Sequence, residues 1–342
     1  MKKKSAYFKA GVDIDNKMAA LRAVKKMVKS TVAPGQICGI GSFGGMFASP
    51  GRNAALIAST DGVGTKLKVA VMTGRHDTLG EDIVNHCVND ILVHGAKPLF
   101  FLDYFAAAKF DAKLFKQVMA GICRACRKSG CALLGGETAE MPGLYPKGEY
   151  DLVGTIVGAV ERKKIITGRT IRSGDLIIGM PSSGLHTNGF SLARKIIFEQ
   201  EGLKPDDVLP GVGRKAGEAL LAVHRSYLRP VCALMNRVKI KGMAHITGGG
   251  FQDNVPRILP DDVDAVFDLS SWTPLPIFRF LQERGKVDRE EMYRVFNMGM
   301  GMVIVIAPSE FSAAIKILRR SGVRALKIGW IEKGRKTARL IN

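Results

Sequence analysis

Residues 58–70 read ASTDGVGTKLKVA. A strand-like apolar run, ALIAST (55–60), leads into an acid, two glycines and a lysine, and a second apolar run follows. Gly62 and Gly64 let backbone N–H groups turn toward one point, a nest for an anion. Lys66 adds a compact positive charge suited to phosphate oxygens. Asp61 is a hard oxygen ligand of the kind Mg2+ takes beside substrate phosphates. Together these are the parts of a metal–nucleotide loop. The plainer alternative is a polar turn with a solvated lysine.

Around this loop, strands and helices alternate. NKMAALRAVKKMVKS (16–30) has apolar residues at helical spacing, and TLGEDIVNHCVNDILVH (78–94) is a second helix closed by Gly95 and Pro98. PLFFLDYFA (98–106) reads as an aromatic strand, residues 112–130 as a helix ending at glycine, CALLGGETAEMPG as strand then loop, and 151–161 as a buried strand. The turn-rich TGRTIRSGD (167–175) separates two halves, placing a boundary near residue 168 and domains at 1–168 and 169–342. The second half alternates in the same way, with a strand LIIGMPSSG, helices at 189–200 and 214–228, and a strand at 263–268. The long strand MYRVFNMGMGMVIVIA, a helix at 309–321 and a last strand at 325–331 follow. The alternation predicts an α/β (α+β) architecture.

Composition bounds the function. Of 342 residues, 46% are hydrophobic and 24% charged, which is globular. No apolar run reaches the ~20 residues of a membrane span. The basic start MKKKSAYFKAG lacks an apolar core and cleavage site, so it reads as a solvated tail and not a secretory signal. Six cysteines do not form a disulfide framework. The local cluster CRACRKSGC lacks a fourth metal ligand, so the thiols read as reduced, in a cytoplasmic setting. Lys and Arg outnumber Asp and Glu by 51 to 31, a net +20. The basic residues are scattered and aromatics are only 7%, so nucleic acid is not the expected partner. A basic background also suits phosphorylated anionic substrates.

Further glycine-and-polar loops follow apolar runs. GIGSFG (39–44) matches G-x-G-x-x-G, but Gly45 and Pro50 block a helix from opening on it, so it is no dinucleotide fingerprint. In HCVND (86–90), His86 and Asp90 share a helix face with His94 one turn on. That face could bind a transition metal, but Asp90 suits a second magnesium carboxylate better. Asp103, inside an aromatic strand, needs a partner if buried. GGETAEMPG sets Glu137 at a strand end, where open α/β sheets bind ligands. SSGLHTNGFS (182–191) leaves a strand and enters a helix, a ready anion site. HITGGGFQDN (245–254) is another glycine nest, beside His245 and Thr247.

Taken in order, these motifs resemble the aminoimidazole ribonucleotide synthetase (phosphoribosylformylglycinamidine cyclo-ligase) family. The likeness runs through YFKAGVDIDNKMAAL, STDGVGTKLKVA, HDTLGEDIVNHCVNDILVHGAKPLFFLDYFA, LLGGETAEMPGLY, PSSGLHTNGFSLARKI, AHITGGGFQDNVPRILP and EEMYRVFNMGMGMVIV. It covers nearly the whole chain; the basic tail IEKGRKTARLIN and the high net charge match nothing diagnostic of the family.

The resemblance implies a two-domain ATP-dependent synthetase fold whose N-terminal strands form a barrel across a homodimer. It implies closure of the imidazole ring of formylglycinamidine ribonucleotide with ATP and Mg2+, in purine biosynthesis, through a phosphorylated formyl-amide (iminophosphate). On this reading Asp61 and Asp90, with Asp103 and Glu137, hold Mg2+. Gly62, Gly64, Thr65, Lys66, Thr247, Gly248 and Gly249 meet ATP. Ser183, Gly184, His186, Thr187 and Asn188 hold the ribonucleotide. Lys66, His186 and His245 are the catalytic candidates, the two histidines because imidazole titrates near neutrality. Two other classes remain open: another ATP-dependent kinase or synthetase of the same superfamily, and a basic nucleic-acid-binding protein.

Overall fold

The computed structural model describes residues 19, 23–24, 27–38 and 46–341. The N-terminal MKKKSAYFKAG and the GIGSFG loop lie outside these residues, and of the expected first helix residues 19, 23–24 and 27–30 are described, helical up to residue 29 with a turn at 30. After a small β1–β2 pair (Gln36–Cys38, Met46–Phe47), the first half has a four-stranded sheet. Its strands are β3 (Ala54–Gly62), β4 (Lys97–Ala107), β5 (Ala132–Glu140) and β6 (Tyr150–Glu161), in the order β3-β6-β4-β5. β6 is antiparallel to both neighbours, and β4 and β5 are parallel.

Alternation assigns the faces. Along β6, Tyr150, Leu152, Gly154, Ile156, Gly158 and Val160 are buried, and the residues between them are partly open. The buried face is covered by α2 (Asp77–Leu92) and α3 (Ala112–Ser129), which follow the short α1 (Lys66–Thr73). Asp111 caps α3 by accepting from the Lys113 and Leu114 amides, and Gly130 ends it at φ 68°. α2 and α3 cross in contact because glycines meet there. A Cβ on Gly80 would stand 2.1 Å from the Val118 carbonyl, and one on Gly121 would stand 2.0 Å from that of Asp77. On the other sheet face, Phe47 meets Phe100, and Leu56 stands 59% exposed.

The second half is built on a six-stranded sheet, β12-β9-β11-β7-β10-β8. In chain order its strands are β7 (Leu176–Pro181), β8 (Ile240–His245), β9 (Val263–Asp268), β10 (Met300–Ile306), β11 (Leu326–Lys333) and β12 (Ala338–Ile341). Its pairings are antiparallel except β9–β12. β10 is buried throughout, as its unbroken apolar run requires. The helix expected at 189–200 is present as α4 (Phe190–Arg194), which continues into a π-helical stretch, Lys195–Gln200.

Three sequence expectations change. The helix at 214–228 is only α5 (Ala216–Leu220), and α6 (Leu228–Met235) follows after a non-helical strap, residues 221–227. The expected strand from Met292 begins as a helix, Arg289–Val295, whose acidic first turn and buried Met292 and Tyr293 suit it to that state. β12, inside the basic tail, pairs with β9 where no strand was expected. The cysteine reading stands in part: Cys87, Cys123, Cys126 and Cys131 are buried and unbridged.

We predict that Gly121→Ala destabilises the protein by about 1–3 kcal/mol or more, the cost of overpacking against rigid backbone. Denaturant melts would show it, and an unchanged midpoint would mean that the crossing can yield.

Candidate active site

α2 carries a polar stripe that is buried and not solvated. Asp82 accepts the His224 amide at 2.7 Å, Asn85 donates to the His224 carbonyl at 2.8 Å, and Asn89 both donates to the Arg225 carbonyl and accepts the Tyr227 amide. These side chains, spaced at helical turns, hydrogen-bond the strap in place of a strand partner. The strap in turn delivers His224 into the interior, fully buried.

Lys66 is placed differently from its sequence reading. It opens α1 and is fully buried, with its ammonium 2.7 Å from Asp82 and donating to the carbonyls of His186 and Ala222. Burial pushes the lysine pKa down and that of Asp82 up, each against the pull of its partner. The charge is spent inward, joining the two halves, and does not point at a phosphate in the cleft.

Asp61 is the last but one residue of β3, still in register with Gly154, and sits 2.8 Å from His86 Nε2. Asp90, one turn along α2, lies 3.5 Å from the same nitrogen and 2.8 Å from His245 Nδ1, and accepts from the Ser59 hydroxyl. His86 Nδ1 hydrogen-bonds the Thr187 hydroxyl at 2.7 Å, and the His224 and His245 Nε2 atoms are 3.0 Å apart. Four of the six histidines thus gather here, with His186 stacked on His224 at 3.9 Å. His94 is outside this group and takes no part. Sequence pattern pairs His86 with Asp90, as the structure does, but extends the face to His94 and misses Asp61 as the closer partner of His86. His224 carries no motif at all; only the polar spacing Asp82, Asn85, Asn89 in an otherwise buried helix could have signalled what it packs against.

Charge follows geometry. Burial opposes protonation of His86, but its hydrogen bond to Asp61 and the nearby Asp90 outweigh it, and its pKa is raised. Burial would raise the Asp90 pKa, yet its bond to His245 and the His86 charge hold it down. Burial lowers His186, His224 and His245, so these rings are neutral donors and acceptors.

The second-half loops meet the first here. His186 holds a left-handed φ of 62°, and its ring lies over Gly301, where a Cβ would stand 2.5 Å from it. Thr65 reaches the Ser191 hydroxyl at 3.1 Å, and a Cβ on Gly248 would meet the Asn188 side chain at 3.2 Å. Ser183 donates to the Val223 carbonyl, and Thr247 to Asn254. A cleft of about 800 Å³ opens beside them, lined by Asn188, Gly189, Gly248, Gly249 and the acids Asp253, Asp288, Glu290 and Glu291. Gly184 is buried, while Gly64 and Thr65 are exposed.

Two expected metal carboxylates fall elsewhere. Asp103 shares the buried sheet face with Asp61, but β6 lies between them and the Phe101 ring fills the space over Gly154. Glu137 pairs in register with Tyr104, so it is on the opposite face, exposed.

The chain belongs to the AIR synthase related family: residues 41–160 match its N-terminal domain and 172–342 its C-terminal domain. Within the family it is similar to the phosphoribosylformylglycinamidine cyclo-ligases. It is 49% identical to that of Alkaliphilus metalliredigens over 336 residues, 97% of each chain. It is 50% identical to that of Burkholderia cenocepacia over 332 residues, 96% of this chain and 94% of the relative. Among solved structures, the fold is shared with thiamine-monophosphate kinase from Stenotrophomonas maltophilia (TM-score 0.70, 17% identity, 93% and 95% covered). It is also shared with hydrogenase maturation protein HypE in complex with ATP (TM-score 0.65, 19% identity, 92% and 86% covered).

Two outcomes test these placements. Lys66→Met should lose about 3–5 kcal/mol of stability by stranding Asp82, and Lys66→Met with Asp82→Asn should recover much of it; an unchanged midpoint for the single variant would return Lys66 to the cleft. Burial raises the Asp103 pKa to about 7. Its folded pKa therefore lies above the unfolded one, and stability falls as pH rises from the usual carboxylate range toward about 7. Asp103→Asn should raise the melting temperature at pH 8 and barely change it at pH 4.

Proposed function

We propose that this site closes the imidazole ring of formylglycinamidine ribonucleotide, giving aminoimidazole ribonucleotide, ADP and phosphate. The observation that carries the reading is the convergence of loops 61–66, 183–191 and 245–250, from both halves, on Asp61, Asp90 and His245. The cyclo-ligase relatives at about half identity support the same reaction.

An amide oxygen is a poor leaving group, so the ring cannot close until it is activated. The formyl oxygen takes the γ-phosphoryl group of ATP, and ADP departs. An amidine-side nitrogen then attacks the same carbon, phosphate leaves with the oxygen, and the nitrogen gives up a proton. Positioning and charge neutralisation dominate such a transfer.

Asp61 and Asp90 suit Mg2+, since two hard carboxylates from β3 and α2 come together beside His86 and keep part of their surface open. Mg2+ held there would neutralise phosphate charge. Gly62, Gly64 and Thr65 face ATP, with Thr247, Gly248 and Gly249 opposite. Ser183, Thr187 and Asn188 frame the ribonucleotide. We assign the ring-closure proton to His245, whose Nδ1 faces Asp90 and whose Nε2 faces His224, and give His186 and Lys66 the task of holding the loops.

The domains at 1–168 and 169–342 and a cytoplasmic homodimer belong to this reading. The sheet face that leaves Leu56 exposed supports pairing of two such sheets into a barrel. No helix among the described residues is long and apolar enough to cross a membrane.

Incubation with formylglycinamidine ribonucleotide and Mg-ATP should yield aminoimidazole ribonucleotide. Asp61→Asn should cut turnover by about a hundredfold with the melting temperature little changed. A product other than aminoimidazole ribonucleotide, or activity within about threefold of wild type in the variant, would overturn the respective assignment.

A further inference from the structure

Away from the catalytic loops, the two halves enclose a second cavity of about 820 Å³. Ala54, which opens β3, and Ile240, which opens β8, line it, whereas Asp61 and His245 stand at the other ends of the same strands. At about 3.3 Å per residue, that puts roughly 16–23 Å between the cavity and the catalytic cluster. The remaining walls are Lys97 at the start of β4, the turn Arg162–Lys164, the connection between the halves at 165–170, and the end of α6.

The backbone holds this cavity open in a fixed shape. The Arg162 amide donates to the Asn53 carbonyl at 3.0 Å, that of Ile166 to His94 at 3.2 Å, and that of Gly168 to Lys241 at 3.1 Å, so the connection is pinned to both halves. Gly95, at φ 81°, lets the chain pass close by: a Cβ there would stand 3.3 Å from the Lys164 carbonyl. Ile165, Ile166 and Met235 pack on the core yet stay partly open, and with Val160 and Ile240 they make much of the lining apolar. The charge of the lining is one-sided. Five lysines face a single acid, Glu161. Glu161 is taken by Lys164 at 2.6 Å, and Lys241 turns its ammonium to Asp175 at 2.6 Å. Lys97, Lys163 and Lys239 remain, exposed and with no ion pair among the described residues. Three like charges around one cavity repel, and a bound dianion relieves that repulsion where a single carboxylate would balance only one of them. Lysine ammonium groups are compact charges suited to phosphate oxygens.

We propose that this cavity is a second ligand site, for a phosphate monoester on a largely apolar body of nucleoside monophosphate size. The phosphate lies among Lys97, Lys163 and Lys239, and the body packs on Ile165, Ile166 and Met235. Apolar walls with a few convergent polar groups, in about 300–1,000 Å³, are what ligands of that size occupy. Thr167, Thr170 and Asn236 supply hydroxyl and amide groups for its polar edges. Lys97 and Lys163 belong to the first half and Lys239 to the second, so the phosphate ties the halves together at the end remote from the catalytic cleft. The site does not depend on the ring-closing reaction, which is scored separately by its product.

The test is calorimetry and hydrogen exchange on the full chain with adenosine monophosphate as the probe, beside adenosine and inorganic phosphate. Adenosine monophosphate should slow exchange at residues 163–170 and 236–241, and bind at least about tenfold more tightly than either comparison compound. Lys97→Ala, Lys163→Ala and Lys239→Ala together should weaken it by about tenfold or more, with the melting temperature little changed because all three side chains are exposed. The single variants serve if the triple one fails to fold. Lys316→Ala, Arg319→Ala and Arg320→Ala, which remove three exposed charges from the helix Phe311–Arg320, should leave affinity within about twofold of wild type. Slowed exchange confined to residues 61–66, 183–191 and 245–250 would put the probe in the catalytic cleft and overturn the proposal. So would unchanged affinity in the folded lysine variants, an equal loss in the helix variant, or adenosine or inorganic phosphate binding as tightly as the monophosphate.

Discussion

The backbone of residues 222–227 has no strand to pair with, and the side chains of one helix take the place of one. Asp82, Asn85 and Asn89 meet its amides and carbonyls directly, and Asp82 also neutralises Lys66, whose other bonds go to Ala222 in the strap and His186 in the next loop. Removing any one would leave a buried polar group without a partner, at about 1–3 kcal/mol for a neutral group and more for a charge. The positions of His224, His186 and, through them, His245 all hang on this stripe.

The same constraint sets the charge of the cleft. Burial keeps His224 neutral, and its neighbours exchange hydrogen bonds around a ring: His86 to Thr187, Thr187 to His224, His224 to His245, His245 to Asp90. Asp61 and Asp90 then hold the one imidazole that burial does not discharge, His86. A chain with a net charge of +20 thus keeps a small acidic pair at its centre, where a cation is wanted, and spreads its positive charge over the surface.

Much of this is legible in residue order. The strand and helix alternation of the first half predicts β3 to β6 and both covering helices to within a few residues, because apolar period and glycine end signals agree there. The loops at 61–66, 183–191 and 245–250 stand out because glycines and small polar residues interrupt apolar runs. Lys66 misleads because a lysine beside glycines on a flexible loop is indistinguishable from one that turns inward; the partner that turns it, Asp82, is on another element. The strap reads as helix because Ala216 to Leu228 has helical propensity. What unwinds it is the row of hydrogen-bonding groups on α2, and periodicity carries no trace of a partner more than 130 residues away. Asp103 and Glu137 group with Asp61 by residue type, whereas the two-residue alternation of β5 and the intervening β6 separate them.

The strap also makes the docking of the two halves directly observable. The His224 and Tyr227 amide hydrogens are given to side chains of the first half, not to backbone of their own sheet. Neither can trade its hydrogen for deuterium until those contacts open, whatever happens inside the six-stranded sheet. Their exchange rates therefore report opening of the seam between the halves, whether by separation or by unfolding of either one. A ligand that bridges the cleft would slow those two protons first.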